Sequence, residues 1–143
     1  MKFNMDASLG FILNKTAIAN KVGFSQLIKN YEISPEQWSV IFRVVEKDGI
    51  SQKELADSTY KDQGNLTRMI DKLVAKDYLY RRLDTTDRRA VQLFASDKAK
   101  SLVKDVIPIS SLYNKQLTKD FTNDEKVKLI ELLSKVYNNI QKD

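Results

Sequence analysis

The chain contains no cysteine and no histidine. Without thiols it can form no disulfide and run no thiol redox switch. Without either residue it lacks the usual sulfur and nitrogen ligands for zinc or iron, and the usual Cys/His nucleophiles. Glycine and proline are scarce, four and two among 143 residues, which leaves little material for long loops and predicts a mostly helical protein. Long apolar runs are missing as well. Asp6 and Gly10 interrupt the N-terminal stretch so that no signal-peptide layout forms, and nothing nears the ~20 apolar residues of a membrane span. With no glycine-rich phosphate loop and no convincing carboxylate pair either, the expectation is a cytoplasmic protein that is not an enzyme and needs no cofactor or metal.

What is present is ordinary for a soluble domain, with 42% hydrophobic and 30% charged residues. The length suits one domain spanning residues 1–143. Lysine and arginine total 24 against 19 acidic residues, a net charge of +5, which fits a polyanionic partner but is also common among plain basic proteins.

The apolar residues Leu9, Ile12, Leu13, Thr16, Ala17, Phe24, Leu27, Ile28 and Tyr31 recur mostly at three- and four-residue steps, predicting a long first helix over residues 7–31. Ser34-Pro35-Glu36-Gln37 is a helix start, with a capping serine, proline at the first position and glutamine at the third. It opens a second helix carrying Trp38, Ile41, Phe42 and Val45, which Asp48-Gly49 ends. Ser51 and Glu54 form a capping box for a helix of barely two turns with Leu55 and Ala56 inward. Asp62 then caps a fourth helix over residues 63–77, its buried face formed by Leu66, Met69, Ile70 and Leu73. Two helices so closely linked form a helix-turn-helix, whose second member normally enters the major groove. Asp77 stands where a left-handed helix terminator is expected. Residues 78–83 and 90–95 look like strands joined by a turn over residues 84–89. Ser96 caps a fifth helix that Pro108 is expected to kink, and Thr122 to Glu125 is a capping box for a last helix carrying Leu129, Leu133 and Tyr137. The fold class is therefore mostly α: a winged helix-turn-helix, with a three-helix core and a β-hairpin wing over residues 33–96, between long terminal helices in residues 1–32 and 97–143.

The fourth helix carries the candidate chemistry. Its outward residues Gln63, Asn65, Thr67, Arg68 and Lys72 can hydrogen-bond base edges or phosphates, and Gly64 would let the backbone approach a duplex closely. Taken alone, such a face is more often a solvated polar surface. The wing supplies Arg81, Arg82, Arg88 and Arg89, suited to a narrow, electronegative minor groove. Asp87 and Arg89 can instead form a salt bridge that shapes the hairpin, leaving Arg88 to reach outward.

From Asn65 to Ser96 these residues resemble the MarR family, the multiple-antibiotic-resistance type of bacterial regulator, including the Asp-x-Arg of the wing at Asp87 and Arg89. Asp77 stands where the family often has glycine, Ala95 for its leucine and Ser96 for its threonine. The resemblance implies a homodimer with interlocking terminal helices, each wing domain reading half of a double-stranded inverted-repeat operator, and transcriptional repression. It also implies release by a small aromatic or phenolic effector, for which Phe11, Trp38, Phe42 and Tyr60 are candidate lining and Lys15 or Arg43 candidate carboxylate partners. The alternative is that these aromatics are core and the cations solvated. The cysteine-based oxidation sensing of one branch is excluded here. A different reading is a protein-binding adaptor on the same fold, without a specific operator.

Overall fold

The computed structural model describes residues 2–60, 62–83 and 90–141, apart from the side chain of Gln63. The expected turn over residues 84–89 lies outside this description. The chain divides into two compact units, Met1–Ile109 and Ser110–Asp143.

In the first unit, α1 spans Leu9–Ile28, flanked by 3-10 turns at Met5–Ala7 and Lys29–Tyr31. The predicted helix over 7–31 is therefore present but tightens at both ends. It buries only Phe24 and Ile28, near its C-terminus. α2 spans Pro35–Glu46, and its capping box is complete: Ser34 Oγ accepts the Gln37 N–H at 3.1 Å, and Gln37 Oε1 accepts the Ser34 N–H at 3.0 Å. Its buried stripe is Val40, Ile41 and Val44; Trp38, Phe42 and Val45 are half-buried.

α3 spans Gln52–Ser58, and its capping box is formed by Ser51 and Glu54. A hydrogen bond from Lys47, together with the Ser51 N–H, holds the Glu54 carboxyl below the usual carboxylate range. α4 spans Gln63–Ala75, with Asp62 Oδ1 accepting the Asn65 N–H at 3.1 Å. It ends as Asp77 foreshadows. Asp77 is left-handed at φ 64°, its N–H donates to the Val74 carbonyl, and the Tyr78 N–H donates to the Leu73 carbonyl. That pair of hydrogen bonds is a Schellman stop, with buried Leu73 and Tyr78 supplying its apolar contact residues.

The wing contains more than the predicted hairpin. β2 (Leu79–Leu83) and β3 (Val91–Ala95) pair antiparallel, but β1 (Ile50–Ser51) also pairs with β3, so the sheet order is β1-β3-β2. Two residues have no periodicity to detect, and only their partner Leu93, placed against Ile50, makes them a strand. Gly49, at φ 85°, turns the chain into this pairing and donates to the Leu93 carbonyl at 2.8 Å.

The core is aliphatic: Ile41, Val44, Leu55, Ile70, Leu73, Leu93 and Val106 are all fully buried. Burying each such side chain contributes about 1.5–3 kcal/mol. α5 spans Asp97–Leu117 as one helix through Pro108, capped by Ser96, whose Oγ accepts the Ala99 N–H at 3.2 Å. Its first part belongs to this unit, where Ala99, Leu102, Val103 and Val106 are buried.

The second unit holds the end of α5 and α6, Asn123–Gln141. Thr122 and Glu125 close the expected capping box at 3.1 and 2.8 Å. α6 buries none of its residues, and Val127, Ile130 and Ile140 are each about two-thirds exposed.

Candidate nucleic-acid interface

α4 is divided lengthwise. Leu66, Ile70 and Leu73 are buried while Gly64, Asn65, Thr67, Arg68 and Lys72 are exposed, so the 3.6-residue period sorts the helix into a docking face and a presenting face. Met69, expected inward, is half-buried at the boundary.

The presenting side chains are already ordered by one another. Asn65 Nδ2 donates to Asp62 Oδ2 at 2.6 Å, and Arg68 donates to Asn65 Oδ1, giving a strip at three-residue steps along one edge. This fixes the Asn65 amide, with its NH₂ toward the carboxylate and its oxygen toward the guanidinium. Gln52, on α3, donates to Thr67 Oγ1 at 2.6 Å and ties the two helices of the motif together. Sequence reasoning marks Asp62 only as a cap and does not mark Gln52. The Asp62–Asn65–Arg68 spacing is a visible signal for the first, whereas the Gln52–Thr67 bond exists only once the helices cross.

A Cβ on Gly64 would meet nothing closer than Asp62 Oδ1 at 3.6 Å, an ordinary contact. Internal packing therefore does not require glycine there.

Arg81 and Arg82 lie on β2, with Arg81 donating to Asp71 of α4 and Arg82 over the rings of Tyr80 and Phe94. Asp87, Arg88 and Arg89 fall outside the described residues.

The candidate effector residues form small groups. Lys15 Nζ is 5.8 Å from the Phe11 ring centroid on α1; Trp38 and Phe42 are 5.6 Å apart, tilted by 47°, on α2; the Tyr60 hydroxyl donates to Ser39 Oγ at 3.2 Å. Arg43 pairs with Glu46 at 3.0 Å. A cleft of about 540 Å³ opens between the start of α2 and α4. Of the five aromatic and lysine candidates it takes in only Tyr60, together with Leu66, Met69, Arg68 and Lys72. Among the described residues no acidic cluster is suited to a metal.

A helix that buries one face, offers amides and cations on the other, and stands beside a small antiparallel sheet defines the class of winged helix-turn-helix DNA-binding domains. Residues 33–91 match the model of the MarR family, and over this segment the chain is similar to transcriptional regulators of that family. Among curated relatives, the transcriptional regulator TtmR of Methylorubrum extorquens is 29% identical over 99 residues, covering 69% of this chain and 51% of that protein. The chain thus spans about half the length of this relative. Among solved structures, a cysteine-to-serine mutant of MarR from E. coli complexed with operator DNA is 26% identical with a TM-score of 0.84, over 95% of this chain and 98% of that one. BpsR of Bordetella bronchiseptica, whose regulation of DNA binding by 6-hydroxynicotinic acid is described, superposes with a TM-score of 0.90 at 20% identity over 100% of both chains.

Proposed function

We propose that this chain represses transcription as a homodimer on an inverted-repeat operator, and releases DNA when a small aromatic acid binds. Residues 33–96 would form the DNA-binding core, and residues 1–32 and 97–143 the dimerisation helices. The observation that carries this reading is the presenting face of α4. Asn65 can read adenine and Arg68 guanine, each bidentately, while Thr67 and Lys72 meet phosphate; Gln63 joins them on the same helix. The absence of any internal demand for glycine at position 64 supports a close approach by something outside the chain. Arg88 and Arg89 would enter the minor groove and Asp87 would steady the turn.

Dimerisation is supported by apolar side chains that the single chain leaves in water: Ile18 and Val22 on α1, and Ile130 and Leu133 on α6. Twofold symmetry would set the recognition helices about 34–36 Å apart, one DNA turn, so the operator would be an inverted repeat. The cleft beside α4 is of ligand size, with apolar walls at Leu66, Met69 and Tyr60 and a charged lining of Arg68 and Lys72 set against Glu36 and Asp62. An aromatic carboxylate bound there, or against Phe11, Lys15, Trp38 and Phe42, would need ~1–3 kcal/mol of differential affinity to lower operator occupancy. No described helix is long and apolar enough to cross a membrane, and work on DNA would put the protein in the cytoplasm.

The test is fluorescence anisotropy on duplex DNA from upstream of the protein's own gene, against an unrelated duplex, at several salt concentrations. Fragment-selective, salt-sensitive binding is expected, and Arg88→Ala should lower the salt slope by about 0.9 for each phosphate that the arginine neutralises. Equal, weak binding to both duplexes, repeated with duplexes selected from a random pool, would overturn the operator reading in favour of a protein-binding adaptor.

A further inference from the structure

The adjacent arginines of β2 are held in opposite directions. The strand pleat puts Arg82 on the outer face of the sheet with Tyr80, Phe94 and Gln92, and Arg81 on the inner face opposite Leu93. On the outer face Tyr80 and Phe94 stack at 5.5 Å and 15°, and the Arg82 guanidinium lies 5.3 and 5.2 Å from their centroids. This stiffens the root of the wing. On the inner face the Arg81 guanidinium donates to Asp71 on α4, the same helix that presents Asn65 and Arg68. Asp71 immediately precedes Lys72 of the presenting face and follows Arg68 by three residues, so an uncompensated carboxylate there would repel a phosphate backbone.

We propose that Arg81 is a positioning residue: paired with Asp71, it fixes the angle between recognition helix and wing, and it does not itself contact phosphate. A duplex that must meet α4 in the major groove and the wing in an adjacent minor groove is sensitive to that angle, and the brace spans the junction between the two elements. The proposal rests on the DNA-binding reading above.

The two roles predict opposite signs for Asp71. Removing an acid from a surface that merely attracts DNA tightens binding, whereas removing half of a brace weakens it. The experiment measures affinity and salt slope on a duplex selected from a random pool by the wild-type protein. The variants are Asp71→Ala, Arg81→Ala, the double alanine variant, and the swap of Asp71→Arg with Arg81→Asp. Each single alanine change should weaken binding roughly three- to tenfold with the wild-type salt slope. The double should be no worse than either single, and the swap should restore most of the affinity. A slope reduced by about 0.9 in Arg81→Ala, with Asp71→Ala unchanged or tighter, would make Arg81 a phosphate ligand and overturn the proposal. If the wild type selects no duplex, the DNA-binding reading fails separately, and amide exchange at residues 79–83 decides the brace. Faster exchange in Asp71→Ala supports it, and wild-type exchange overturns it.

Discussion

α4 and α6 are both amphipathic helices opened by a side-chain cap, yet α4 buries Leu66, Ile70 and Leu73 while α6 buries nothing. An apolar stripe states a demand for cover without saying who supplies it. In α4 the cover is in the same chain, from α3, the wing and the rest of the core. In α6 the stripe through Leu129, Ile130, Leu133 and Tyr137 stays in water, and a second copy of the chain is the proposed cover.

The largest effect should come from denying α6 that cover. Leu129→Asp together with Leu133→Asp should convert a dimer to monomer in sedimentation velocity. Without two-site engagement, binding to an inverted-repeat duplex should then weaken by about 10²–10⁴-fold. A wild-type protein already monomeric at micromolar concentration would remove the contrast between the helices.

Next comes a matched pair of truncations. Ile70→Ala, in the sealed face of α4, should cost about 2–5 kcal/mol in denaturant unfolding. Ile130→Ala, on α6, should show a destabilisation that varies with protein concentration, and that lies within about 0.5 kcal/mol of zero where the chain is monomeric. Equal, concentration-independent effects at both positions would show that α6 is covered within its own chain.

Caps give smaller effects. Ser34→Ala and Ser51→Ala each remove a hydrogen bond to the first turn of a helix and should each cost about 1 kcal/mol.

The smallest expected effect concerns pH. The folded state holds the Glu54 carboxyl below its ordinary value through its bond from Lys47, so the ionised form is favoured by folding. Its stabilisation is fully present above the ordinary carboxylate value and is lost as pH falls through the lowered one. Glu54→Gln should flatten that acid limb of the stability curve relative to the wild type, and an unchanged limb would show that the exposed pair contributes nothing measurable.

What could be read from the chain follows the range of the interaction. The caps at Ser34, Ser51, Asp62 and Thr122, and the left-handed Asp77, depend on residues within a few positions, and all appear where expected. The burial of Leu66, Ile70 and Leu73 is legible because a helix repeats its pattern. β1 is not, being two residues defined by a partner roughly forty positions away. The Gln52–Thr67 bond and the Asp71–Arg81 pair, though closer in sequence, likewise depend on how separate elements meet. For the effector residues the sequence supplies side-chain types but no depth or direction, and the cleft beside α4 gathers only Tyr60 from the aromatic set.

The thread from Gly49 to Ser51 along β3 bears on how this domain could be recombined. Residues 78–96 look like a self-contained cassette, a hairpin that a protein engineer would cut out and transplant to exchange minor-groove preference. Yet the Leu93 carbonyl is satisfied by Gly49, and the Ala95 N–H by the Asp48 side chain at 3.3 Å, both from the junction between α2 and α3. A chimera that moved the hairpin without residues 48–51 would leave the middle strand with an open edge. The smallest exchangeable module is therefore two separated pieces of chain, and wing and helix-turn-helix are inherited together.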